Sequence, residues 1–327
     1  MHPNPSRWFY VLFTFFYPAL VESARLWNHT SGVRRKAKMK KTLILAAIAI
    51  APIALASCGP KEFDPESNIT VVTREDGSGT KGAFMEILGL KNQPDVSNAV
   101  VQNSTAAVLA EVENNQYAIA FDSLGYLDDS VKKLTVDGVE ANSANIKSGE
   151  YSISRPLNVI YKEATITGSP LYTDYLSFLG SSQAQSIISD NGYVSIADGA
   201  SEYEANASLS GEIDISGSTS LQPLMILLAE EYQRLNPDVV VNVSGGGSGT
   251  GYSNAETGVS AFGMISEEFN SEKAASCTPY TVAKDGIGII VNLSNQLNDI
   301  SKEDLALIYN SEAPEGEQIT KWSQLLG

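Results

Sequence analysis

Short β-branched runs alternate along this chain with segments whose apolar residues recur three and four positions apart, the patterns of strand and amphipathic helix. Ile69 to Thr73 predicts a strand, followed by a glycine-rich turn and a helix near Ala83 to Leu88. Ser104 to Val112 is alanine-rich and predicts a helix, and Tyr117 to Phe121 a strand. Tyr151 to Tyr161 reads as a strand broken by Pro156. Leu171 to Leu179 and Gln183 to Ser189 predict helices, the second ending near Asn191-Gly192. Residues 198–211 lack periodicity and predict a linker. The pattern then restarts with a strand over Glu212 to Ser216. Leu221, Leu224, Met225, Leu228, Ala229, Tyr232 and Leu235 mark one face of a helix that Asn236-Pro237-Asp238 stops. Val239 to Val243 predicts a strand of the buried type, and Gly286 to Val291 another. Ser301 with Asp304 forms a capping-box pattern before a helix to Tyr309. Strands alternating with helices predict an α/β architecture, with ligands at the short strand–helix loops.

The stretch before Ile69 follows other rules. Met39-Lys40-Lys41 is positively charged, Thr42 to Leu55 is apolar, and small residues precede Cys58. That order predicts a secretory signal peptide over 39–57. Its apolar run is too short to span a membrane comfortably. Leu55-Ala56-Ser57-Cys58 is similar to the lipobox of bacterial lipoproteins, which implies cleavage before Cys58 and lipidation of its sulfur. Residues 1–38 read as an upstream extension ahead of a start at Met39, because Pro18 ends the aromatic run Trp8 to Tyr17 too early for a span. Residues 58–68 read as a polar tether.

Charge narrows the choice of partner. The chain has 22 Lys+Arg and 38 Asp+Glu; 8 and 1 of these lie in residues 1–57, so the remainder has 14 and 37, net −23. Such a molecule repels nucleic acid and anionic lipid, so membrane contact is expected through the lipid anchor alone. Any anion site must rest on local donors. Both histidines, His2 and His29, precede Cys58. The remainder therefore excludes Ser-His-Asp and Cys-His catalysis and His-ligated zinc. Neither an enzyme nor a cofactor is expected. With Cys58 acylated, Cys277 has no disulfide partner and reads as a small buried residue.

Three turns rich in glycine and hydroxyls stand out: Arg74-Glu75-Asp76-Gly77-Ser78-Gly79-Thr80, Gly217-Ser218-Thr219-Ser220, and Gly245-Gly246-Gly247-Ser248-Gly249-Thr250-Gly251. Each follows a predicted strand and opens a helix. A helix N-terminus leaves N–H groups without partners, and its dipole favours negative charge. Ser and Thr hydroxyls add donors without adding charge. Arg74 supplies a fork suited to a tetrahedral oxyanion, and Asp76, two residues on, is expected to pair with it. Hydrogen bonds to a charged group contribute roughly 1.5–3 kcal/mol each, so several converging donors offset dehydration of the anion. Gly77, Gly79 and Gly82 also match G-x-G-x-x-G with Asp95 downstream, the pattern of a dinucleotide-dependent oxidoreductase. The missing histidines and the export signal weigh against that reading.

The first turn closely resembles the Arg-x-x-Gly-Ser-Gly-Thr motif of the phosphate-binding proteins of ABC phosphate importers. Gly217-Ser218-Thr219-Ser220 with Pro223 is similar to that family's first loop, and Gly246 to Gly251 to its second. Ala283 to Asn292 is similar to its hinge-leading strand, and Trp322 falls at its Asn-Trp. The order of motifs differs from the family's, as a circular permutation would produce. The resemblance implies a two-lobed type II periplasmic-binding-protein fold with two hinge strands. One lobe is expected over 156–290, with the 198–211 linker, and the other over 69–155 plus 291–327. It also implies ligand contacts at Arg74, Ser78, Gly79, Thr80, Thr219, Ser220 and Ser248. Implied partners are phosphate or a similar oxyanion and an ABC permease with its ATPase. The implied state is a monomer anchored outside the cytoplasmic membrane.

One position departs from the family. After Phe262-Gly263, some members place an Asp that accepts phosphate's proton. Here Ser266 takes that position and Glu267 follows. A carboxylate acceptor selects protonated phosphate over sulfate. Ser266 both accepts and donates, and Glu267 is either the acceptor or a solvated residue. Sulfate or another tetrahedral oxyanion therefore stays open, as does an adhesion or sensing lipoprotein that keeps the fold without delivering solute.

Overall fold

From β1 (Thr70–Arg74) the chain runs through α1 (Gly79–Ile87), β2 (Val100–Gln102), α2 (Thr105–Asn114) and β3 (Ala118–Ser123). Short strands β4 (Lys132–Lys133) and β5 (Thr135–Val136) and helix α3 (Ser143–Ser148) lead to β6 (Ser154–Tyr161). Three helices follow: α4 (Glu163–Thr167), α5 (Pro170–Leu179) and α6 (Ser182–Asp190). Then β7 (Gly211–Gly217), α7 (Gln222–Leu235), β8 (Val239–Gly245), α8 (Ser248–Thr257) and β9 (Phe262–Ile265) alternate. The long β10 (Thr278–Val291), β11 (Asp299–Ile300) and α9 (Lys302–Tyr309) come last. The structure is a computed structural model that describes residues 62–314 and 316–326. The upstream extension, the signal peptide and Cys58 lie outside the described residues. No described helix is long and apolar enough to cross a membrane.

The strands line up as β2-β1-β3-β10-β6-β9-β7-β8. At one end β2, β1 and β3 are parallel, and at the other β8, β7 and β9 are parallel. Between them β10 runs antiparallel to both β3 and β6. Side chains of β10 change core along its length. Val282 and Ala283 pack with Leu157, Phe178, Leu228, Tyr232 and Phe262. Ile287 and Ile289 pack instead with Phe84, Phe121, Ile153, Tyr309 and Trp322. The chain makes the same change as it enters β6, between Ile153 and Leu157. Two lobes thus share two crossing strands. At the crossing, Arg155 and Asp285 stand opposite each other in the ladder. They form an ion pair of 3.2 Å with side chains 1% and 0% exposed, and the Ser123 hydroxyl donates to Asp285 at 2.7 Å. Removing one partner of such a pair strands a buried charge.

Three elements depart from the sequence reading. Pro156 does not break β6. Lys284, opposite it, exchanges its backbone bonds with Val194, and β9 pairs with β6 only over Asn158–Ile160. No neighbour needs the missing N–H there, which is where a strand tolerates proline. β8 is a half-buried edge strand, with Val240 48% exposed, because α7 covers only one face of it. Helix α1 starts four residues earlier than its apolar pattern, because the Ser78 hydroxyl caps it by accepting from Lys81 N–H. Residues 198–210 contain no strand or helix, yet Tyr203 is docked through its hydroxyl on Asp174. Cys277 is buried and unpaired by disulfide.

Candidate functional site

Helices α1, α2, α7 and α8 each start within a few residues of the C-terminal end of a strand, namely β1, β2, β7 and β8. Two belong to each lobe. Their starts are brought together by direct contacts across the cleft. Thr80 and Ser220 share a hydroxyl–hydroxyl bond of 2.8 Å. Thr105 reaches Thr219 and Ser220, each at 3.3 Å. The Gly249 N–H donates to Gly77 C=O at 2.9 Å. On the second lobe, Ser266 N–H donates to the Ser248 hydroxyl at 3.1 Å, and the two hydroxyls lie 3.4 Å apart. Gly79 stands against this pair: a Cβ there would fall 2.3 Å from Ser248 Oγ and 2.9 Å from Ser266 Oγ. Glycine is required because the lobes meet at its Cα. Thr80, Ser220, Ser248 and Ser266 are each 1% exposed. Four helix N-termini and a ring of buried hydroxyls therefore point into one small volume, an arrangement suited to an anion.

Arg74 closes the ring. Its guanidinium is buried, with Nη2 bonded to Glu75 at 2.9 Å and to Thr219 at 3.2 Å, and Nε to Glu75 and the Gln102 carbonyl. Its Nη1 is buried without a partner. The carboxylate that holds Arg74 is thus Glu75, not Asp76. Asp76 points out of the cleft, fully exposed, and pairs with Lys81 at 2.9 Å, which holds its carboxyl below the usual range. The turn geometry explains the difference: Glu75 directly follows β1 and folds back along Arg74, while Asp76 sits at the tip beside Gly77. Asp76→Ala is accordingly expected to leave anion affinity within about twofold by calorimetry, the effect of an exposed pair.

The Ser78 hydroxyl caps α1 by accepting from the Lys81 N–H, which leaves its own O–H able to donate. Glu267 lies at the rim, with its side chain against Gly82 and paired with Lys273 at 2.8 Å, outside the hydroxyl ring. A Cβ at Gly82 would lie 2.8 Å from its carboxylate, and Asp95 is taken by Lys81 and the Thr73 hydroxyl. Neither fits a pyrophosphate with a ribose partner. The rim opens into a groove of about 1060 Å³ lined by Asp76, Lys81, Gln93, Glu267, Phe269 and Lys273 among others.

Four contributors were not legible in the turn motifs. Thr105 follows Asn103-Ser104 at the start of α2, a strand-then-hydroxyl signal like the other three but without glycine. Glu75 was hidden in favour of Asp76. Arg155 donates to the Ser266 carbonyl at 2.9 Å and so ties the hinge to the ring. Asp122, next to last in β3, is fully buried, and burial pushes its carboxyl up to about 7 against the pull of Ser123 N–H and of Arg74 and Arg155. No described cluster of His, Cys, Asp and Glu has the makings of a metal site.

A family model described as a PBP superfamily domain matches residues 27–183 and 203–327. The chain is 36% identical over 299 residues to "Phosphate-binding protein PstS 2" of Streptococcus pneumoniae TIGR4, covering 88% of this chain and 99% of the relative. It is 34% identical over 301 residues to the protein of the same name from Streptococcus agalactiae 2603 V/R, again covering 88% and 99%. A crystal structure of a phosphate ABC transporter phosphate-binding protein from S. pneumoniae TIGR4 superimposes with a TM-score of 0.62 at 36% identity, over 79% of this chain and 99% of that one. Each relative matches along nearly its whole length.

Proposed function

This chain belongs to the PBP superfamily and, within it, to the family of the streptococcal phosphate-binding proteins; from that premise we propose that it captures inorganic phosphate outside the cytoplasmic membrane and delivers it to an ABC importer. The observation that carries the reading is the ring of Thr80, Thr105, Thr219, Ser220, Ser248 and Ser266 hydroxyls, drawn from both lobes beside the buried guanidinium of Arg74. Uncharged donors suit the task. The rest of the molecule is acidic, so attraction of an anion must come from short-range bonds in a closed cleft rather than from the overall field. Donors on both lobes make closure and binding one event, and the strands that cross at Arg155 and Asp285 are where we place the bend. We assign ligand contacts to Arg74, the Ser78, Gly79 and Thr80 segment, Thr219, Ser220, Ser248 and Ser266. Anchorage through a lipid on Cys58 and a monomeric state belong to the same proposal, and no chemical turnover is involved.

Sulfate is the second reading, favoured by Ser266, a hydroxyl where a carboxylate acceptor would reject it. Calorimetric titration with phosphate, sulfate and molybdate tests both. Saturable phosphate binding that exceeds sulfate binding is expected. Saturable binding of none of the three would remove the transport function.

A further inference from the structure

Asp122 is a fully buried carboxylate with one oxygen unused. Its Oδ1 accepts from Ser123 N–H at 2.8 Å, and its Oδ2 has no partner. Buried polar groups are nearly always satisfied, so each exception calls for a cause. Two further orphans lie near it electrostatically: Arg74 Nη1 and Arg155 Nε. Among the described residues, no ion pair within 4 Å joins Asp122 to either arginine, because Arg74 is engaged by Glu75 and Arg155 by Asp285.

The fold fixes which way Asp122 faces. Val72 of β1 and Ala118 and Ala120 of β3 pack in one cluster with Val108 and Val112 of α2. Side chains two apart on a strand share a face. Arg74 follows Val72 by two, and Asp122 follows Ala120 by two. Both therefore project from the α2 side of the sheet, at the C-terminal ends of neighbouring parallel strands. The start of α2 on that side carries Thr105, a member of the hydroxyl ring.

We propose that Asp122 accepts the proton of the bound oxyanion, and so selects protonated tetrahedral anions such as phosphate over sulfate. A bare carboxylate in a buried anion site repels any guest that brings no proton. A guest that carries one donates it to Oδ2, while its other oxygens accept from Arg74 Nη1 and the hydroxyls. Selection against sulfate then comes from β3, and Ser266 needs no carboxylate. The inference rests on the phosphate-capture reading.

The test is competitive calorimetry with inorganic phosphate and sulfate on wild type and Asp122→Asn. An amide presents a donor to sulfate, so the phosphate-to-sulfate affinity ratio should fall at least about tenfold in the variant, about 1.4 kcal/mol. The charged and titratable groups facing Asp122 are Arg74, Arg155 and Asp285, with Tyr193 beyond them. Sulfate itself does not titrate near neutrality. Wild-type sulfate affinity should rise at least about tenfold from pH 8.5 to pH 6, as Asp122 gains a proton it can donate, and the variant's should stay flat. The pH series on wild type decides the matter even if the variant does not fold. An unchanged ratio in a folded variant, or a flat wild-type sulfate profile, overturns the proposal and leaves phosphate capture standing. Failure of wild type to bind phosphate at all removes phosphate capture first, and this inference with it.

Discussion

Arg74→Ala is expected to weaken phosphate binding at least tenfold, about 1.4 kcal/mol or more, by calorimetric titration. The side chain is 1% exposed and held by three partners: Glu75 grips the Nε–Nη2 edge of the fork, Gln102 C=O accepts from Nε, and the Thr219 hydroxyl accepts from Nη2. That fixing leaves Nη1 free to meet an anion without further loss of rotamer freedom. Truncation removes the donor and leaves Glu75 as an uncompensated negative charge beside the guest. Arg74→Lys is expected to restore little, because an ammonium lacks the planar fork that Glu75 holds. Affinity within about twofold of wild type in Arg74→Ala would discard the assigned site.

Gly79→Ala is expected to weaken binding on the order of 100-fold, about 2.7 kcal/mol, by preventing the lobes from meeting. The new Cβ would lie 2.3 Å from Ser248 Oγ and 3.0 Å from Ser248 Cβ, so rotating the hydroxyl away does not clear the whole contact. Ser248 is also held in place by Ser266 N–H. Within its own lobe the substitution is harmless: Gly79 opens α1, and alanine favours a helix over glycine. Thermal stability of the ligand-free protein should therefore hold while affinity falls. Small-angle X-ray scattering separates the two effects. Wild type should compact on adding phosphate, and the variant should not. Compaction equal to wild type would show that the contact at Gly79 does not govern closure.

Much of this site is legible because its chemistry is local. Each hydroxyl-rich turn contains its own strand end and helix start within seven or so residues, so pattern and backbone physics suffice to read it. Ser78, Thr80, Ser220 and Ser248 follow from that logic. Residues whose role depends on tertiary facing do not. Asp76 and Glu75 are equally plausible partners for Arg74 on paper, and only the path of the turn separates them. Asp122, Arg155 and Asp285 lie inside strands and away from the glycine-rich turns, and nothing nearby in sequence says that two of them pair across the hinge. The same limit applies to the fold. Alternation of elements gave the α/β class, but Pro156 looked like a break because the sequence does not show that its side of β6 lacks a partner. Val239 to Val243 looked fully buried because valine content does not reveal that β8 is the last strand of the sheet.

The most direct test is diffraction from crystals grown with phosphate. The account predicts a tetrahedral anion enclosed between the lobes, within about 3 Å of Arg74 Nη1 and of hydroxyls from both Thr80 and Ser220. Density for the anion in the rim groove near Lys81 and Lys273, with the hydroxyl ring still bonded only to itself, would contradict it.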